Sequence, residues 1–328
     1  IDQFKNGTNT SYKFTPTAST SVSAPRYPAV QLEFYVDPAD GKGKVRITNN
    51  CTVAAATGGS YDYDIVPGSG GTTYQKYNIY NYHFKRKNTP SDVQVVPLTD
   101  TYVSQTIDGM TSEPGGQIYI KGNVVIGSDT YTNMVVKGKV TVVAARNDDG
   151  TGGNIWIADS IVDDGPHDAT TGLPTPDNNN VLGLIAQGVV KVANPTSSSS
   201  PSNPSPTTLT YQPIGNPRSP SGTYPGRWLS DPTVIEAAIT VGGGGWGAEK
   251  VSSSGGRRMY SGSEDDLIVR GTITEAVRGV VGLTGSNGYL KHYYLDNRLL
   301  EGVLPGNIWL RGKYIPAPAG WHDYRPDN

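Results

Sequence analysis

Apolar and polar residues alternate along seven stretches of the chain, and most of these stretches have a glycine near the centre. Alternation with a period of two indicates a β-strand with one buried face and one wet face. A central glycine, or an Asp or Asn in its place, indicates a bend that has no room for a large side chain. The predicted pivot residues are Asn49, Gly122, Gly138, Asp159, Gly188 and Gly271.

The seventh stretch, residues 235–241, keeps the alternation without a pivot. Four stretches between residues 117 and 192 follow one another with turn residues between them, as the rungs of a coil would. We therefore predict an all-β chain built on a right-handed parallel β-helix, or β-solenoid. At roughly 4.8 Å per stacked strand, seven rungs would form a column about 30 Å tall. The uneven spacing of the stretches indicates insertions in the turns.

Changes in composition divide the chain further. Residues 30–110 hold irregular strand-like runs and are expected to cap the first rung, and residues 111–282 form the β-helix. The Ser- and Pro-rich stretch 195–225 cannot bury a core of its own, so we expect a surface loop there. The aromatic, Pro-rich residues 283–328 are expected to cover the last rung as a cap. A docking surface is the alternative for this tail.

The N-terminal residues 1–29 are polar but carry several aromatic side chains. They form either a disordered linker or an extended arm that adds a strand to a neighbouring subunit. In the second case the interface residues are Phe4, Tyr12 and Phe14.

Composition excludes several classes of protein. With 27 Lys and Arg against 29 Asp and Glu, the net charge is −2, which does not suit an electrostatic nucleic-acid binder. No apolar run approaches the roughly 18 residues of a membrane span. Cys51 is the single cysteine, so no intrachain disulfide can form. The Gly-, Ser-, Thr-, Asn- and Tyr-rich composition is typical of extracellular β proteins.

Enzyme chemistry finds little support in the sequence. A glycosidase needs two carboxyl groups about 5–10 Å apart, and adjacent pairs occur at Asp148-Asp149, Asp163-Asp164 and Asp265-Asp266. Neighbours on a strand point to opposite faces, and such pairs in turns are usually solvated. Arg270 and Arg278 would suit a lyase, but no signature of a pectinolytic β-helix enzyme accompanies them. We predict no catalytic residues and no enzyme.

A calcium site is the one candidate for bound metal. Asp163, Asp164 and Asp168 are oxygen ligands close together in a predicted turn. The EF-hand and RTX patterns are absent, so hydrated turn residues are the favoured expectation and calcium is the alternative. The four histidines lack the spacing of a zinc site. No other cofactor is expected.

Several sequence pieces follow one another in a recognisable order: residues 116–124, 140–144, 154–157, the Leu-Gly-Leu-Ile-Ala segment at 182–186, residues 267–273, the pair Arg278-Gly279 and the tail 288–299. In these pieces, residues 115–305 resemble bacterial PilX-like pilus-assembly proteins and related cell-envelope proteins. The resemblance implies a β-helix-like surface protein linked to pili or the envelope, without catalytic residues.

Three functions remain open at this point. The first is a non-enzymatic, extracellular structural protein of the bacterial surface, a self-assembling filament or pilus-associated subunit whose partners are copies of itself or other envelope subunits. The second is a polysaccharide-binding or polysaccharide-cleaving protein, and the third is a minor tip adhesin of a pilus. Exposed Tyr and Trp side chains on a β face would favour carbohydrate, since aromatic rings pack against sugars.

Overall fold

The protein is described by a computed structural model. It covers residues 2–8, 12–16, 26–54, 61–66, 73–78, 83–86, 93–98, 106–107, 110–111, 116–127, 134–150, 152–192, 232–248, 266–282 and 289–305. The Ser- and Pro-rich stretch 195–225 and the tail beyond residue 305 lie outside these ranges.

The described residues are mostly strands. A short helix, α1 (Asp2–Gly7), comes first, and a 3-10 helix (Asn297–Leu299) follows the last strand. The strands of the first third of the chain are β1 (Lys13–Phe14), β2 (Arg26–Val36), β3 (Gly43–Ala54), β4 (Tyr61–Val66), β5 (Thr73–Asn78), β6 (His83–Arg86), β7 (Val93–Pro97), β8 (Thr106–Ile107) and β9 (Met110–Thr111). The later strands are β10 (Gly116–Lys121), β11 (Asn123–Ile126), β12 (Met134–Val136), β13 (Lys139–Ala145), β14 (Ile155–Ile157), β15 (Ile161–Asp163), β16 (Val181–Ala186), β17 (Val190–Val192), β18 (Thr233–Val241), β19 (Trp246–Ala248), β20 (Asp266–Glu275) and β21 (Leu290–Leu295).

Two large sheets contain most of these strands. The first is a curled sheet of nine parallel strands in the order β1-β10-β13-β16-β18-β15-β12, with β20 paired to β18 and β21 paired to β20. The second is a mixed sheet in the order β19-β17-β14-β11-β2-β3-β6, with β7 also paired to β3. Its strands β11, β14, β17 and β19 are parallel to β2, whereas β3 is antiparallel to it. The pairs β4–β5 and β8–β9 are separate antiparallel hairpins.

The hydrophobic core consists of side chains stacked in register across the parallel strands. One column in the curled sheet is Ile118, Val142, Leu184, Ile239 and Ile273. A column in the mixed sheet is Val30, Val124, Ile155, Val190 and Trp246. Both columns belong to a single apolar cluster between the sheets. Burying one aliphatic side chain is worth about 1.5–3 kcal/mol, so these columns provide a large part of the stability.

The predicted right-handed parallel β-helix is wrong, because the strands form a curled parallel sheet and a mixed sheet instead. One cause is β18, which has no pivot glycine and continues as one strand of nine residues. Its Ile235 pairs with Ile161 of β15, while residues 238–241 pair with β16, so β18 joins both groups of strands into one sheet. The second cause is the stretch around Asn49, which forms the long strand β3 antiparallel to β2.

The six predicted pivots fall in two kinds of place. Gly122, Gly138, Asp159 and Gly188 each lie between two consecutive strands, whereas Asn49 lies inside β3 and Gly271 lies inside β20. The corner at Gly188 shows why a glycine is required there. A Cβ on Gly188 would overlap the side-chain oxygen of Asn154. That oxygen accepts a hydrogen bond of 2.9 Å from the backbone N–H of Val189, so the corner is closed by a buried amide.

The first and last described strands lie against the two sheets. At the N-terminal end β1 pairs with β10, and β2 pairs with β11 of the mixed sheet. At the C-terminal end β21 pairs with β20, and residues 277–281 run along the outer side of β19, where Ala248 donates a 2.8 Å hydrogen bond to Val280. The cap roles expected for residues 30–110 and 283–328 stay predictions.

Replacing Gly271 by alanine should destabilise the protein strongly. Its φ is 156°, and a Cβ would overlap the carbonyl oxygen of Ala237 on β18. We expect Gly271→Ala to lower the free energy of unfolding by about 3 kcal/mol. Gly138→Ala is the matched control, because Gly138 has a φ of 117° and nothing within 4 Å of its Cβ position.

For the control we expect a loss of about 1 kcal/mol, from backbone strain alone. Urea unfolding of the two variants measures the difference. Equal losses would show that close approach of the strands at Gly271 is unimportant.

Candidate functional site

Six charged or titratable side chains meet beside the 164–180 loop, and we call them the ionic cluster. They come from β15, the loop, β18, β20 and the segment after β21, and they are Asp163, His167, Glu236, Arg270, Asp296 and Arg298. Four of the six side chains are almost completely buried. A buried charged group is tolerated only when it has a hydrogen-bonded or oppositely charged partner. The contacts within the cluster therefore determine the position of the loop.

Glu236 is the centre of one half of the cluster. The register of β18 and β20 places it opposite Arg270, whose Nη1 lies 2.9 Å from Glu236 Oε1. Glu236 Oε2 accepts a 2.7 Å hydrogen bond from the backbone N–H of Asp163 and lies 3.0 Å from Nε2 of His167. With a side chain only 1% exposed, Glu236 is a buried carboxylate whose two oxygens are both engaged.

Arg298 is the centre of the other half. Its Nη2 donates to Asp163 Oδ2 at 3.0 Å and to Asp296 Oδ2 at 2.7 Å. Its Nη1 donates to the backbone carbonyls of Asn180, at 3.0 Å, and Asn178. Arg298 and Asp163 are 135 residues apart in the sequence, so the Arg298 side chain connects the segment after β21 to the loop before β16.

Formal charges in the cluster do not cancel if every acid is ionised. Three carboxylates face two guanidinium groups, and Oδ1 of Asp163 has no hydrogen-bond partner. Burial raises the pKa of Asp163 well above its ordinary range, the nearby Glu236 carboxylate raises it further, and Arg298 opposes both effects. Burial and the neighbouring carboxylate thus favour the protonated form of Asp163 over a wider pH range than for an exposed aspartate.

The three predicted calcium ligands have separate partners in this structure. Asp163 binds Arg298, and Asp164 lies 3.1 Å from Nζ of Lys137. Asp168 accepts hydrogen bonds from the N–H and hydroxyl groups of Thr171, which lower its pKa. Within the described ranges no group of three or more His, Cys, Asp or Glu side chains is arranged to hold a metal. Calcium binding stays a prediction without structural support.

The predicted interface residues lie on the sheet of their own chain. Phe14 pairs in register with Ile120 and is buried in the core, and Tyr12 packs against the same core. Phe4 is half-buried and packs against a small cluster that includes Tyr119. The side-chain amide of Gln117 donates to the Phe4 carbonyl and, at 2.6 Å, to the hydroxyl of Thr8. Addition of this segment to a neighbouring subunit stays a prediction.

The last strand of the curled sheet presents an open edge. In the part of the chain that the structure describes, β21 pairs with β20 alone. Tyr293, Tyr294 and Leu295 on this strand are each nearly half exposed, and Leu300 follows at 73% exposure. The hydroxyl of Tyr293 also accepts a 3.0 Å hydrogen bond from the indole N–H of the buried Trp246. We call β21 with these exposed side chains the open edge.

No protein-family model matches the chain, and no curated protein or solved structure matches it. The resemblance to PilX-like proteins therefore stays a prediction. None of the helices in the described ranges is long and apolar enough to cross a membrane.

Sequence reasoning missed Glu236, Asp296 and Arg298. Two signals point to them. Glu236 is the only charged residue in the otherwise uncharged strand β18, and such a residue in a buried strand needs a partner. The motif Asp296-x-Arg298 directly follows a strand, and here the aspartate accepts from the arginine at 3.0 Å.

Removal of Arg298 should destabilise the protein because it leaves two carboxyl groups buried without their main donor. We expect Arg298→Met to lower the free energy of unfolding by about 3–5 kcal/mol. Lys121→Met is the matched control, because Lys121 pairs with the exposed Asp148 and such a pair is worth about 0–1 kcal/mol. Chemical unfolding compares the two, and similar losses would contradict the assigned role of Arg298.

The raised pKa of Asp163 predicts a pH dependence. Between the ordinary carboxyl pKa of about 3.9 and the raised value, the folded state keeps a proton that the unfolded state has lost. The contribution of Asp163 is therefore complete at low pH and is lost as the pH rises. The unfolding free energy of wild type minus that of Asp163→Asn should therefore decrease as the pH rises over this range. An increase of this quantity with pH would contradict the raised pKa of Asp163.

Proposed function

We propose that this chain is a non-enzymatic structural protein of the bacterial surface that associates with copies of itself or with other envelope subunits through the open edge. The observation that carries the proposal is the strand β21, which in the described ranges is an edge strand of the curled parallel sheet and has exposed apolar side chains. An uncovered edge strand exposes a row of backbone N–H and C=O groups, which is a template for pairing with another chain.

The side chains of the open edge favour association over solvent exposure. Monomeric proteins usually protect an edge with charged residues, proline or a very short strand. β21 is six residues long and has the sequence Leu-Lys-His-Tyr-Tyr-Leu. One lysine near its start is the sole fixed charge, and the tyrosines and Leu295 are residues that suit a contact surface.

The extracellular and bacterial parts of the proposal are supported by the Gly-, Ser-, Thr-, Asn- and Tyr-rich composition and by the resemblance of residues 115–305 to PilX-like proteins. A shaft subunit of a filament and a minor tip component of a pilus would both use such an edge.

A carbohydrate-binding protein is the second candidate, favoured by the exposed rings of Tyr293 and Tyr294. Neighbours on a strand point to opposite faces, so these rings do not form one platform for a sugar chain. Cleavage would require accessible carboxyl groups, whereas Asp163 and Glu236 are buried against arginines. Association through the open edge therefore accounts for more of the observations.

A charge placed at the open edge should weaken association. We expect wild-type protein to associate with rising concentration and Leu295→Lys to raise the apparent Kd by about tenfold or more. Val95→Lys is the matched control, because Val95 is also 48% exposed but lies on β7 at the far side of the mixed sheet. Light scattering over a concentration series measures both. A wild type that stays monomeric throughout would overturn the proposal.

A further inference from the structure

The two ends of the stacked strands are not equivalent. At the N-terminal end, α1 and β1 lie against β10, and the outer side of β11 is occupied by β2. Beyond β2 the antiparallel strand β3 follows, and β6 and β7 pair with β3 in turn. At this end, antiparallel strands therefore cover the mixed sheet and interrupt its parallel stacking, and the curled sheet finishes with the two-residue strand β1.

At the C-terminal end the mixed sheet is also covered. Residues 277–281 run along β19, with Val277 donating to the carbonyl of Gly244 at 3.2 Å and Ala248 donating to that of Val280 at 2.8 Å. The curled sheet has no such cover over β21 in the described ranges. Among the described residues, β1 and β12 are also edge strands of the curled sheet, but they are only two and three residues long. The six-residue strand β21 is therefore the longest edge strand of this sheet that is left to pair.

The core columns continue as far as the open edge. Met134, Ile161, Ile235 and Val269 form one buried column, and Tyr293 is its next member. Leu295 follows Gly271 in the adjacent column and lies on the same face. The apolar interior of the sheet therefore reaches the surface at β21, and a further strand with apolar side chains would bury it.

The occupant that the structure itself provides is a second copy of β21. A head-to-tail copy would bring its N-terminal end to the open edge, but β2, β3 and β7 extend the mixed sheet at that end past β11. Two open edges meeting each other avoid this obstruction. Such a contact uses the same surface on both subunits and closes after two copies.

We propose that two copies of this chain pair their β21 strands antiparallel across a two-fold axis, with Tyr293 on the axis. This inference rests on the proposed association through the open edge. A two-fold axis perpendicular to the sheet leaves the same face of the sheet on the same side in both copies. The residue on the axis then lies opposite the identical residue of the second copy. Lys291 then faces Leu295, and His292 faces Tyr294.

This register is preferred over its nearest alternative because Tyr293 opposite Tyr293 forms a stabilising cross-strand aromatic pair. An axis at His292 would instead place Tyr293 opposite Lys291, so this pair would be lost. When the axis passes through Tyr293, Lys291 faces Leu295, so the fixed charges of the two strands do not face each other.

Disulfide formation tests the geometry in the full-length chain. Under mild oxidation, Tyr293→Cys should give about tenfold more disulfide-linked dimer than His292→Cys, whose sulfur atoms would be offset along the strands. Wild type, which keeps Cys51, is the control for unrelated oxidation. A mixture of Lys291→Cys and Leu295→Cys proteins tests the same register with Tyr293 intact, and we expect a mixed disulfide.

The light-scattering mass should level off at twice the chain mass of 34.9 kDa. If association is lost in Leu295→Lys but neither β21 experiment yields a disulfide, the two-fold geometry is overturned and the proposed function stands. Mixed disulfides between Lys5→Cys and Tyr294→Cys proteins, with a mass that keeps growing, would mean head-to-tail stacking and would also overturn it. A wild type that remains monomeric overturns both.

Discussion

Parallel pairing in register fixes the position of nearly every important side chain in the described part of this protein. The register that stacks Ile235 on Val269 in the core also places Glu236 opposite Arg270 on the other face. A shift of one residue would turn the charged pair into the core and the apolar pair to the outside. The apolar columns and the ionic cluster are therefore two consequences of the same alignment.

The ionic cluster connects parts of the chain that the sheet alone leaves separate. Burying charged groups is expensive, and a well-packed apolar replacement is often at least as stable. What Arg298 adds is a connection between the segment after β21 and the loop before β16. Pro305 supports the same connection, because its ring lies where a side chain on Gly183 would be, 2.7 Å from that Cβ position. Together these contacts hold the end of β21 against the sheet.

The sequence predicted the strands well but not their arrangement. Alternation around Gly122, Gly138 and Gly188 marks true corners between strands. A close neighbour excludes a side chain at Gly122 and Gly188, and a positive φ disfavours one at Gly122 and Gly138. The continuous strand β18 and the antiparallel strand β3 show the same period of two as any other strand. A period of two identifies a half-buried strand without identifying its partner, so the β-helix prediction was wrong although the local signal was real.

The candidate site was harder to predict for the same reason. The calcium prediction treated Asp163, Asp164 and Asp168 as one group because they are close in sequence. The true neighbours of Asp163 are Arg298 and the carboxylate of Glu236, which only the folded sheet brings near it. Charged residues within predicted buried strands are a better guide than charged residues clustered in turns, since only the former must find a partner.

The open edge is notable because the edge strands at the two ends of the described fold are covered differently. A sheet of parallel strands has no intrinsic stopping point, and each end must be covered, charged or paired. Antiparallel strands cover the N-terminal end, and residues 277–281 cover one half of the C-terminal end. A closed pair at β21 would leave the two N-terminal ends pointing outward. A filament would then require a second contact there, and the N-terminal segment with Phe4 and Tyr12 is the nearest part of the chain to provide it.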